Sequence, residues 1–189
     1  MNKLNIIQKV FEVIQESLPA PDGTINDNCD GGKADSRPAT LTDDTVNEQA
    51  IKELSKDFAK AINDRDVACL DGRAEYHLYT VDHLIRLIKI NDEQNTLKLL
   101  NENKIKSKYE DCEFLSITFS TDKEQAEVVY IVRTCVVSAD DKYFRELNKK
   151  NKKNDRIKAG TPFINKYTLL VKKEKGTWKI DKFVASQEI

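Results

Sequence analysis

Tyr76, Tyr79, Asp82 and His83 are the residues of this chain that come nearest, in type and spacing, to a catalytic set. A phenol that donates to a developing oxyanion, beside a carboxylate that moves a proton, is the pair a small isomerase or dehydratase uses. If the helix here began early, Tyr76, Tyr79 and His83 would fall at i, i+3 and i+7 and share a face. Each residue also has an ordinary explanation. Asp82 follows Thr80, a helix-capping type, and an acid in a first helical turn complements the helix dipole. Tyrosines in a loop pack as amphipathic groups. A non-enzymatic domain is the favoured reading, and a small cavity enzyme or small-ligand binder built on this set is the alternative.

Arg133 and the run 142–158 are candidates for binding. A guanidinium on a central strand is costly unless paired. Arg133 therefore either meets an acid, Glu127 or one from a helix, or reaches into a cavity toward an anionic ligand. Between Lys142 and Lys158 eight Lys or Arg stand against two acids. Lys149, Lys150, Lys152, Lys153 and Arg156 would hold an anionic polymer there by charge neutralisation. Asn148, Asn151 and Asn154 intersperse them, as in a solvated excursion, which is the plainer reading of an exposed charge run.

Metal and cofactor chemistry find no support in the spacing. His77 and His83 are six residues apart, about 240° around a helix at ~100° per residue, so they cannot share an ion there. The four cysteines form no C-x-x-C pair and read as buried free thiols, neither a zinc ribbon nor a disulfide scaffold. The Gly31-Gly32 pair is too little for a phosphate loop, and no cofactor is expected.

The net charge of −1 hides a split, because residues 142–189 hold 14 Lys or Arg against 5 Asp or Glu. Such a split implies an anionic partner or two complementary surfaces. Charges interrupt every apolar run before it reaches membrane-spanning length. Lys9, Glu12 and Glu16 likewise break the pattern a signal peptide would need.

The elements that must position these residues follow from periodicity. Ile7, Val10, Phe11, Ile14 and Leu18 mark an amphipathic helix within 1–21, ended by Pro19 and Pro21. Asp22–Asp44, rich in Asn, Asp, Gly, Ser and Thr, reads as a linker. The main domain spans 45–189. Thr45 and Glu48 have the spacing of a capping box, and Ala50, Leu54, Phe58, Ala61 and Ile62 mark a buried face that fades at Asn63-Asp64-Arg65-Asp66. A short turn at Val67–Leu70 breaks at Asp71-Gly72. A helix capped by Thr80 buries Val81, Leu84, Ile85 and Ile88, and a third starts near Asn91.

Strands then follow: Cys112–Ser120, Ala126–Ser138, Phe163–Lys173 and Thr177–Ser186, the last two joined by a turn at Glu174-Lys175-Gly176. The stretch 126–138 is β-branched on both faces for most of its length, which places it centrally. Its second apolar face needs a cover, expected from a second subunit or from the N-terminal helix. Helices first and an antiparallel meander after is an α+β layout.

The break Ala61-Ile62-Asn63…Asp66 and the close Tyr167, Leu169, Val171, Trp178 and Ile180 resemble the nuclear transport factor 2-like superfamily over about 45–186. Within it the chain is similar to domains of Gram-positive envelope proteins related to the teicoplanin-resistance-associated membrane protein. The resemblance implies a cone of helices packed in a curved antiparallel sheet, frequent homodimers through the outer sheet face, and both enzymes and binding modules among its members. It also implies a binding or assembly role at a bacterial envelope, on the extracytoplasmic side of a membrane. The four cysteines, and the lack of a transmembrane segment or zinc ribbon before the domain, depart from that group: either the sequence is an excised piece of a longer chain or the setting is cytoplasmic.

Overall fold

A computed structural model describes residues 43–69, 71–149 and 156–188. The expected helix within 1–21 and nearly all of the linker lie outside these residues. In chain order the elements are α1 (Asp43–Asn63), two 3-10 turns (Val67–Cys69 and Tyr76–Leu78), α2 (Val81–Lys89) and α3 (Asp92–Asn103). Then come β1 (Lys106–Phe119), β2 (Gln125–Ser138), α4 (Asp141–Leu147), β3 (Pro162–Glu174) and β4 (Thr177–Glu188). The strands form one antiparallel sheet in the order β1-β2-β3-β4. The domain is thus α+β, with helices against one face of a four-stranded meander, as a cone of this kind requires.

The core forms where apolar periods from α1 and the strands meet. Ile51, Leu54, Phe58 and Ile62 of α1 are buried at i, i+3, i+7 and i+11. They pack on Val128, Tyr130, Val132, Tyr167, Leu169, Val171, Ile180 and Phe183 from the sheet. The phenol of Tyr130 donates to the Ser55 carbonyl at 3.1 Å, so the buried hydroxyl is satisfied. The β3–β4 turn is tight because Lys175 and Gly176 both take positive φ, 52° and 80°, the geometry that matches strand twist.

Several expectations are corrected by this packing. α1 is already helical at Asp43, so Thr45 lies inside the first turn rather than before it. α2 turns three of its four expected residues outward, Val81, Ile85 and Ile88 being 59%, 45% and 66% exposed, while Leu84 packs partly buried on the core and Leu87 is buried. The cause is a set of polar anchors on the opposite side of the helix. Arg86 Nη2 donates to the Asp181 carbonyl at 2.8 Å, and the His83 ring lies 4.4 Å from that of Tyr79. These contacts hold the His83–Arg86 side against the sheet edge, leaving Ile88 outside the core.

The run 142–158 is also less of a solvated excursion than its charge suggests. Residues 141–147 are α4, and Tyr143, Ile157 and Phe163 join Leu100, Ile105 and Val136 in a second core cluster. Asn148 closes the foot of the excursion: its amide donates to the carbonyls of Phe144 and Ile157 at 2.8 and 2.7 Å and accepts from Ile157 N at 2.7 Å. Of the cysteines described, all free, Cys135 is buried, Cys112 partly so and Cys69 exposed.

Candidate functional site

A mostly apolar cavity of about 70 Å³ lies between the end of α1, α3, α4 and the helix-facing side of the sheet. That is several times the ~10–15 Å³ needed by one water. The residues with polar side chains on its wall are Arg65, Glu75, Tyr79, Asp92, Thr96, Ser107, Thr134, Tyr143 and the thiol Cys135.

The chain places Arg65 by a change of period. α1 ends at Asn63, whose amide donates back to the Ala59 carbonyl at 2.7 Å and to the Tyr167 hydroxyl at 3.2 Å. The next residues run beside the start of β1: Ser107 N donates to the Arg65 carbonyl at 2.7 Å and Val67 N to the Ile105 carbonyl at 3.0 Å. In this extended stretch alternate side chains point opposite ways. Asp66 meets Lys106 in a half-exposed ion pair at 2.9 Å, and Arg65 turns inward. Its Nη2 reaches Glu75 Oε2 at 2.5 Å and its Nη1 donates to the Asp71 carbonyl at 2.6 Å.

Glu75 is held in place by the close approach of residues 71–73 to α3. A Cβ on Gly72 would lie 2.9 Å from the Glu93 carbonyl oxygen and 3.1 Å from Leu97 Cγ. Arg73 adds an ion pair with Glu93 at 2.6 Å. We expect Gly72→Ala to cost about 1–3 kcal/mol, the usual penalty of overpacking against a fixed backbone. Chemical denaturation measures it, and a change below about 0.5 kcal/mol would show that this approach is loose.

Asp92 opens α3 with its side chain buried, 6% of the residue being exposed. Tyr76 donates to its Oδ2 at 3.1 Å. Burial raises the pKa of both Glu75 and Asp92, with Arg65 opposing the shift in each. Burial first, then the carboxylates of Glu75 and Asp92, hold the Tyr79 hydroxyl well above its usual range. These groups therefore sense one another across the cavity.

The expected catalytic set is brought together only in part. Tyr76 and Tyr79 are in ring contact at 6.4 Å, and Tyr79 meets His83. Tyr79 alone of the four lines the cavity. The carboxylate beside Tyr76 is Asp92, not Asp82, which is exposed in the first turn of α2. His83 packs behind Tyr79, where burial, and after it the Arg86 charge, lower its pKa to about 4.

The expected anion-binding residues lie elsewhere. Arg133 does not reach the cavity: it lies on the sheet face away from the helices, paired at 3.0 Å with Asp111 of β1, an exposed pair. Neither Glu127 nor a helix acid is its partner. Lys149 pairs with Glu146 at 2.5 Å. Lys150, Lys152 and Lys153 lie outside the described residues, and Arg156 is exposed. Among the described residues no group of three or more His, Cys, Asp or Glu could hold a metal ion. No helix among them is long and apolar enough to cross a membrane.

Arg65, Glu75 and Asp92 escape a reading by periodicity. Arg65 sits inside Asn63-Asp64-Arg65-Asp66, a run with no apolar residue to betray alternation. Glu75 and Asp92 have the sequence context of a loop and of a helix start.

The face of the sheet away from the helices is uncovered among the described residues. Residues opposite one another on paired strands share a face, so the register gives rows across it: Glu113, Ile131, Lys166; Asp111, Arg133, Ile164; and Thr118, Glu127, Leu170, Lys182. Val129 lies between the first and last rows. On this face β1 carries Asp111 and Glu113 with Lys108 and Thr118, β2 carries Val129 and Ile131 between Glu127 and Arg133, and β3 and β4 carry Ile164 and Leu170 with Lys166 and Lys182.

No family model matches the chain, and no curated protein does. Among solved structures it is similar to the intermembrane space region of the chloroplast protein ARC6, at 14% identity and a TM-score of 0.40. That match covers 78% of this chain and 98% of the other.

Proposed function

We propose that this chain is a non-enzymatic binding or assembly domain of the nuclear transport factor 2-like kind, which self-associates through the open face of its sheet. The observation that carries the reading is the layout of that face. Val129, Ile131, Ile164 and Leu170, with Asp111 and Glu113 toward the β1 edge and Lys166 and Lys182 toward the β4 edge, make a face that is self-complementary under a two-fold axis running along the strands. Such an axis lays the β1 edge of one copy over the β4 edge of the next. An axis across the strands would set like charge on like. The centre of the domain is filled by Phe58, Tyr130, Tyr167 and Phe183, which favours a structural body over a wide reaction chamber.

Sedimentation of the full chain tests this. The wild type should have twice the chain mass, and Ile131→Lys, at the middle of the face, should have the mass of one chain with its helical signal intact. A wild type that stays at one chain mass at every concentration contradicts the reading. So does an Ile131→Lys variant that still pairs.

A further inference from the structure

The cavity wall carries polar oxygens that the described residues leave unpaired. Asp92 Oδ2 accepts from Tyr76, but Oδ1 receives no hydrogen bond from the described residues. The hydroxyls of Tyr79 and Thr134, each in a residue 4% exposed, make none with them either. All three residues line the same cavity. A carboxylate oxygen and hydroxyls on the wall of one cavity, the Tyr143 and Thr96 hydroxyls among them, can accept the N–H donors of an ammonium.

Charge points the same way. The buried ionisable groups on the cavity wall are Arg65 against Glu75 and Asp92. Arg65 is already committed to Glu75 and the Asp71 carbonyl. Even with about half a positive charge from the α3 N-terminus, the balance with both acids ionised is negative. A bound anion would add another negative charge away from water, whereas a cation would relieve Asp92. Most of the remaining wall, including Ile62, Leu87, Leu99 and Val136, is apolar and suits a short hydrocarbon chain.

We propose that this cavity binds a primary alkylammonium group, its nitrogen held by Asp92, Tyr79 and Thr134 and its carbon chain lying along the apolar wall. The group could be a free alkylamine or the side chain of a lysine, which have the same chemistry at the nitrogen. The proposal is independent of pairing through the sheet, whose residues are on the opposite face.

The test titrates the full chain with n-butylammonium, with butyrate, and with a lysine blocked at both its α-amino and carboxyl groups. Binding is followed by amide chemical shifts. We expect saturable binding of n-butylammonium, with shifts at Thr96 and Thr134, and none of butyrate. Asp92→Asn should weaken it about tenfold or more, the worth of a charge-assisted hydrogen bond. Thr134→Val, which leaves the charges in place, should weaken it by a smaller factor. Tighter binding of the blocked lysine than of n-butylammonium assigns the site to a side chain of a partner; weaker binding assigns it to free amines. No saturable binding of n-butylammonium, equal binding of butyrate, or amine affinity unchanged in both variants would overturn the proposal.

Discussion

Phe58→Ala is expected to cost about 3–5 kcal/mol, because the deletion leaves a void where three elements meet. Phe58 is fully buried, and its ring lies 5.8 Å from that of Tyr79 and 5.7 Å from that of Phe183. Collapse into the space is limited on every side. Tyr130 is tied to the Ser55 carbonyl and Tyr167 to Asn63, and the main chain at Tyr79 is bridged to Ile180 of β4. Chemical denaturation of the purified chain reads the loss directly. A loss below about 1 kcal/mol would mean that Phe58 is not a central core residue.

Arg65→Met is the second large effect, again about 3–5 kcal/mol, for an electrostatic reason. Methionine fills much of the arginine stem but leaves the Glu75 carboxylate buried without its partner. Adding Glu75→Gln should restore most of the loss, since the uncompensated charge is then gone. The pH dependence carries a sign as well. Burial already raises the Glu75 pKa, and Arg65 is the main influence opposing it. In Arg65→Met the folded-state pKa must rise further above its unfolded value. The folded state then binds more protons than the unfolded state in that window, so stability falls as pH rises through it and levels off below. A loss that is flat with pH, or a double variant no better than the single one, would show that the pair is not energetically coupled.

Much of the architecture is written in patterns that a single sequence displays. The two-faced apolar run 126–138 is an inner strand, the Lys175-Gly176 turn closes a hairpin, and Thr80 caps α2 by accepting from His83 N at 3.2 Å. Each of these follows from local chemistry. What fails to show in the sequence depends on which side of an element the rest of the fold engages. α2 has an apolar arc wide enough to suggest burial of Ile88, yet His83 and Arg86 hold the opposite side to the sheet edge.

The same holds at the cavity. Tyr76 and Tyr79 stand out by type, but the acid beside Tyr76 comes from sixteen residues further along, on a different helix. Arg133 stands out as a charge on a central strand, and its acid lies across the ladder on β1. Spacing along the chain cannot reveal a partner that only the register supplies.

Charge reversal at the two edges of the open sheet face tests the assembly account most directly. One variant carries Asp111→Lys and Glu113→Lys, which makes the β1 edge basic like the other. A second carries Lys166→Glu and Lys182→Glu, which makes the opposite edge acidic. Each alone sets like charge over like in the two-fold pair, so each should sediment at the mass of one chain. Mixed in equal amounts they should form a complex of two chains, because every edge then meets its opposite. Increasing salt should weaken that complex. Variants that pair with themselves as the wild type does, or that stay apart when mixed, would contradict assembly through this face.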